Sequence, residues 1–122
     1  MSERFFDTNI VIDVLHDRPV AWAELRLATR SWISRMTWIE VMSGVPDAAG
    51  ADTERFLGLF AMCEIDEDIA RRAAALRHQR RGLKSPDAII LASAQANGRI
   101  LVTRNTKDFP AEMPGIRIPY TL

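Results

Sequence analysis

A single cysteine, Cys63, stands among the 122 residues, so no disulfide can form within the chain. It lies in the apolar run 61–65, where a buried, inert thiol is expected rather than a nucleophile. Net charge is lacking too, because Lys plus Arg and Asp plus Glu balance at 16 each. The molecule as a whole therefore does not attract a polyanion, and any such partner must be held by a local basic patch. No apolar run approaches the ~20 residues that a membrane helix needs. The first residues bring Glu3 and Asp7 with no sustained apolar core, which does not read as a secretion signal. A reducing cytoplasm is the expected compartment, with no membrane partner. Repeats, low-complexity segments and linkers are also missing. With 48% apolar and 26% charged residues, the chain reads as one globular domain over 1–122, long enough to bury its own core.

What is present is organised around Phe5-Phe6-Asp7-Thr8-Asn9. A short apolar run delivers a carboxylate and two small polar residues, then passes into the helix-like 10–15. That is the outline of a strand whose carboxyl end opens into a site, the place where open α/β sheets gather ligands. Taken alone, Asp7 could equally be the N-cap of the helix that follows.

Asp17-Arg18-Pro19 breaks that helix, and Ala21, Leu25 and Ala28 mark a second. Trp32 and Ile33 form a brief second strand. Thr37 reads as the N-cap of a helix striped by Trp38, Val41, Met42 and Val45, with Glu40 roughly opposite the stripe. A helix over 53–61 and a third strand over 62–65 follow. Ile69, Ala73 and Leu76 then line a helix with acids in its first turn and bases in its last, a charge order that complements the helix dipole. Ser85-Pro86-Asp87 opens the next helix as N-cap, N1 proline and first-turn acid, and the small and apolar residues 88–96 imply burial on most sides. Residues 100–102 form a fourth strand, and 116–118 a fifth at an edge beside Pro119. Strands separated by helices imply a parallel sheet covered on both faces, an α/β/α sandwich.

Three acids lie where a strand ends or a helix begins: Asp7, Glu40 and Asp87, with Asn105 and Asp108 after the fourth strand. Hard divalent cations take oxygen ligands, and Mg²⁺ is usually held by only one or two carboxylates while keeping several waters. A few acids converging on one cleft suffice. Singly, each has an ordinary reading: Glu40 as a solvated helix residue, Asp87 as a favourable charge at a helix start, Asn105 and Asp108 as turn residues.

Together, Phe6-Asp7-Thr8-Asn9, Thr37-Trp38-Ile39-Glu40, Ser85-Pro86-Asp87-Ala88-Ile89-Ile90 and Thr103-Arg104-Asn105-Thr106-Lys107-Asp108-Phe109 resemble the four motifs of PIN-domain ribonucleases. Their order, intervals and total length are similar to the VapC-like toxins of toxin-antitoxin pairs. The resemblance implies a five-stranded sheet in the order 3-2-1-4-5. It also implies a Mg²⁺- or Mn²⁺-dependent RNA endonuclease with Asp7, Glu40 and Asp87 as ligands. Asn105 stands where the family often has a fourth acid, which removes one negative charge. Thr8, Asn9, Thr103 and Asp108 are the expected supporting residues. Arg80, Arg81, Lys84, Arg104 and Lys107 are placed to grip phosphates without reading sequence. The same resemblance implies a homodimer and a small VapB-like antitoxin, for which Trp22, Trp38, Phe56 and Phe60 offer apolar surface.

Two other classes compete. A receiver domain or a haloacid-dehalogenase-type phosphatase also places Asp at strand ends, but the phosphatase expects a second Asp where Asn9 stands. A catalytically silent interaction domain would keep the fold and lose the chemistry.

Overall fold

The computed structural model describes residues 3–122. Its elements run β1 (Glu3–Phe6), α1 (Thr8–Leu15), α2 (Pro19–Leu27), β2 (Arg30–Ser34), α3 (Arg35–Ser43), α4 (Gly50–Leu57), β3 (Ala61–Cys63), α5 (Glu67–Gln79), α6 (Ser85–Ala96), β4 (Ile100–Val102) and β5 (Ile116–Arg117). A short 3₁₀ turn, Asp47–Ala49, precedes α4. The five strands form one parallel sheet in the order β3-β2-β1-β4-β5, as expected.

Adjacent side chains on a strand point to opposite faces, so a central strand covered on both sides is apolar throughout. Phe5 and Leu101 pack with Ile69 and Ala73 of α5 and the buried face of α6. Phe6, Ile33 and Val102 pack on the other face with Ile10, Val11, Val41 and Leu57. Phe5, Phe6, Ile33 and Leu101 are fully buried, so the sheet centre is the core and the three-layer sandwich holds. No helix among the described residues is long and apolar enough to cross a membrane.

Several boundaries differ from the sequence expectation. Helix α3 starts two residues before Thr37: Ser34, the last residue of β2, caps it by accepting from the Met36 amide at 3.0 Å. Thr37 is thereby turned inward and fully buried. Strand β3 spans 61–63 rather than 62–65, because its partner β2 runs out at Ser34, which pairs with Cys63 before the chain turns into α3. Helix α4 spans 50–57 rather than 53–61, and Leu59 is left 80% exposed in the turn beyond it. Lys84, not Ser85, occupies the N-cap of α6 and makes no side-chain cap bond; Ser85 and Pro86 fill the first turn. The fifth strand is shortened to Ile116–Arg117.

Candidate active site

Asp7 follows the last residue of β1 and extends the ladder by donating its amide to the Val102 carbonyl at 3.0 Å. It is also the N-cap of α1, accepting from the Thr8 amide through Oδ1 at 2.8 Å, so the strand-end and capping readings hold together. Its Oδ2 accepts from Thr103 Oγ1 at 2.7 Å and from Asn9 Nδ2 at 3.2 Å. These three donors are neutral, and the residue is 3% exposed. Burial, with added repulsion from Asp87 and Glu40, pushes the Asp7 carboxyl up to about 6 even though Thr103 and Thr8 stabilise its charged form.

Glu40 reaches the same end of β1 from α3. Thr8 Oγ1 donates to Glu40 Oε1 at 2.7 Å and lies 2.9 Å from Thr37 Oγ1. One hydroxyl has one proton, so Thr37 is the donor to Thr8, and the order is Thr37 to Thr8 to Glu40. The inward turn of Thr37 created by the Ser34 cap makes this chain of bonds possible.

Asp87 enters from the first turn of α6. Burial raises its carboxyl above the usual range, and Asp108 and Glu40 raise it further. Asp108 is held by Asn105, which donates through Nδ2 to Oδ2 at 2.9 Å and accepts the Asp108 amide on Oδ1 at 3.2 Å. Asn105 thus spends its amide on positioning a neighbouring carboxylate. The Asn105 amide nitrogen in turn donates to Thr103 Oγ1 at 3.0 Å.

The basic residues divide into two groups. Arg81, Lys84 and Lys107 are exposed, and Lys84 is close enough to Asp87 to favour its charged form. The other two guanidinium groups are engaged inside the protein. Arg80 donates to the Asp108 carbonyl at 2.5 Å, and its Nη1 is buried with no hydrogen-bond partner. Arg104 grips Asp13 through Nε at 2.7 Å and Nη2 at 3.1 Å.

Asp13 and Tyr120 were not singled out by the sequence, although Asp13 is 2% exposed and accepts from the Tyr120 hydroxyl at 2.7 Å. A lone acid inside the apolar stretch 10–15 was the only signal available, since its partners lie 91 and 107 residues away. Glu24 is similar: 6% exposed on α2, it accepts from Arg4 of β1 and from both Nε and Nη2 of Arg117 of β5.

Asp7, Glu40, Asp87 and Asp108 therefore bring hard oxygen donors to one cleft and repel one another across it. Among the described residues, no group of three or more His, Cys, Asp and Glu side chains is arranged to hold a metal ion by itself. Mg²⁺ takes only one or two carboxylates directly and reaches others through water. Asp7, a buried carboxylate held by neutral donors and repelled by Asp87 and Glu40, fits a divalent cation.

The PIN domain family matches residues 4–111. The chain is 29% identical to ribonuclease VapC19 of Mycobacterium tuberculosis, over 96% of this chain and 99% of that protein. Among solved structures it is similar to a toxin-antitoxin complex from Klebsiella pneumoniae at 44% identity and a TM-score of 0.90, covering 98% of this chain and 99% of that one. It is also similar to the DNA-bound VapBC of Salmonella typhimurium, at 25% identity and a TM-score of 0.77, with 97% of each chain covered.

Proposed function

The chain belongs to the PIN-domain family, and from that premise we propose that it is a Mg²⁺- or Mn²⁺-dependent RNA endonuclease, the toxin of a VapBC-type pair acting in the cytoplasm. The observation that carries this reading is Asp7: a carboxyl held 97% out of solvent by neutral donors, with Glu40 and Asp87 repelling it from two other elements. Carboxylates are gathered in this way where a cation is to neutralise them.

When bound, the divalent ion supplies Lewis acidity for attack of water on the RNA phosphodiester. Asp7 is the principal ligand, and Asp87 and Glu40 hold the ion directly or through water. Thr8 aims Glu40, while Thr103 and Asn9 fix Asp7 in one orientation. Asn105 aims Asp108 at the Asp87 side of the cleft, where it offsets the missing fourth acid. Arg81, Lys84 and Lys107 hold backbone phosphates and set no sequence preference. The phosphatase alternative has little to stand on, since the position two beyond Asp7 is an amide already bonded to Asp7 and Thr103.

A small VapB-like antitoxin and a second copy of the chain are the proposed protein partners. The apolar groove formed by Trp22, Leu25, Phe56, Leu59 and Phe60 supports a partner surface. Light scattering tests the homodimer, and a monomer at high concentration would remove it.

The direct experiment incubates labelled single-stranded RNA with the parent, Asp7→Ala and Asp87→Asn in Mg²⁺ or Mn²⁺. The parent should cut and the folded variants should not; equal cleavage by all three defeats the metal-site reading. Growth arrest on expression of the parent but not of Asp7→Ala, relieved by a short open reading frame directly upstream, tests the toxin role.

A further inference from the structure

Asp13 is a carboxylate on the buried side of α1, where an apolar residue of similar size would cost less. Both of its oxygens are engaged. Oδ2 accepts from Arg104 Nε and the Tyr120 hydroxyl, both at 2.7 Å, while Oδ1 accepts from Arg104 Nη2 at 3.1 Å with Arg18 Nε 3.7 Å away. Burial pushes the carboxyl up, but the Arg104 and Tyr120 bonds more than offset it, so Asp13 is a charged partner in a two-pronged pair.

Arg104 is the middle residue of the Thr103–Asn105 turn, and its neighbours explain why it is tethered. Thr103 hooks Asp7 Oδ2 at 2.7 Å, and its own amide makes the last sheet bond, to the Arg117 carbonyl at 3.1 Å. The Arg104 amide donates to Asn9 Oδ1 at 3.4 Å, and Asn9 Nδ2 touches Asp7 Oδ2. Beyond β4 the sheet no longer directs the chain. The guanidinium runs back along α1 to Asp13, four residues and ~6 Å of helix rise past Asn9. Both of its bonds to Asp13 hold it in that direction.

We propose that Tyr120, Asp13 and Arg104 form a strut that holds the 103–105 turn against Asp7. Asp13 and Tyr120 are then positioning residues of the metal site, and Arg104 is withdrawn from phosphate binding. The proposal rests on the metal-dependent ribonuclease reading above and adds residues from α1 and from beyond β5 to its support.

The test titrates Mn²⁺ alone into RNA-free parent, Asp13→Asn, Tyr120→Phe and Arg104→Gln by calorimetry, then measures kcat, KM and the salt slope of cleavage of a labelled single-stranded RNA. Asp13→Asn and Arg104→Gln should each weaken Mn²⁺ binding about tenfold, the lower end for residues that orient a metal ligand. Both should lower kcat, leave KM and salt slope unchanged, and cause no further loss when combined. Tyr120→Phe keeps the ring in place and should shift both readouts in the same direction by less. If the Asn variant does not fold, Tyr120→Phe decides the question.

A raised KM and flatter salt slope in Arg104→Gln, with Mn²⁺ affinity unchanged, would make Arg104 a phosphate ligand and overturn the strut. Unchanged Mn²⁺ affinity in all three variants would reduce the network to support of the fold and overturn it equally. A parent that binds Mn²⁺ and cuts no RNA sinks the ribonuclease reading while the Mn²⁺ arm still judges the strut. A parent that binds no Mn²⁺ ends both.

Discussion

Thr8 Oγ1 donates to Glu40 Oε1 at 2.7 Å, joining the residue after Asp7 to a helix that begins 27 positions further along. The bond makes the orientation of the second acid depend on a hydroxyl beside the first. Thr8→Ala should therefore lower Mn²⁺ affinity about tenfold and destabilise the protein by about 1–2 kcal/mol, since Thr37 loses its acceptor. Thr8→Ser should restore both. Calorimetric titration and urea melts of the three proteins check this, and unaltered Mn²⁺ binding in Thr8→Ala would dissociate Glu40 from the ion.

The Asp7 carboxyl sets a pH dependence of stability. Its folded value of about 6 lies above the ordinary 3.8, so between those values the native state binds more protons than the unfolded chain. Stability must then fall as pH rises through that window, by up to about 3 kcal/mol above pH 6. Asp7→Asn carries no such titration. In urea melts with chelator at pH 4, 5, 6 and 7, the variant should gain on the parent as pH rises, and added Mg²⁺ should recover the parent selectively. A difference that stays flat from pH 4 to 7 would refute the uncompensated charge.

Asn105→Asp places a second carboxylate where an amide now donates to Asp108 at 2.9 Å. Like charges at this distance oppose each other. The metal-free protein should lose about 1–2 kcal/mol, the equivalent of roughly one pKa unit on the pair, and divalent ion binding should tighten several-fold. Thermal melts with chelator and Mn²⁺ titration measure the two effects, and weaker Mn²⁺ binding would show that Asn105 matters only for the turn.

Exposed Lys84 and Lys107 flank the acids on separate elements. Replacing both with Ala should reduce the slope of log affinity for single-stranded RNA against log salt by about 1.4, at ~0.7 per phosphate contact. Mn²⁺ affinity should not fall, since the lysines repel the cation rather than hold it. Filter binding across a salt series, in chelator to prevent cutting, gives the slope directly; an unchanged slope removes both lysines from the RNA path.

Glu24→Ala supplies the complementary case. Glu24 ties α2 to β1 and β5 through Arg4 and Arg117 and makes no bond to the acids of the site, and Arg117 is partly solvated. The variant should lose about 1–3 kcal/mol, less than a fully buried pair would cost, with Mn²⁺ affinity and kcat intact. A loss of metal binding here would mean that general loosening, rather than the strut, governs the site.

The sequence by itself determined the layered α/β class. Apolar strand-length runs such as 5–6 and 100–102 alternate with helical patterns, and only a covered parallel sheet buries both faces of such strands. It also marked Asp7 and Asn105 at strand ends and Asp87 at a helix start, local features that the chain announces within a few residues; Glu40, expected where a helix begins, lies past the first turn of α3, because that helix starts at Arg35. The start of α3 is not fixed locally, because Ser34 and Thr37 are both good caps and the choice between them depends on where β2 stops pairing with β3. Only the tertiary structure decided what each polar side chain does. Arg104 and Lys107 look alike in sequence, yet one is bound to Asp13 and the other is exposed. The difference comes from a buried charge on α1 that had to be neutralised, and its partners, 91 and 107 residues away, meet it only when β4 and β5 close the edge of the sheet.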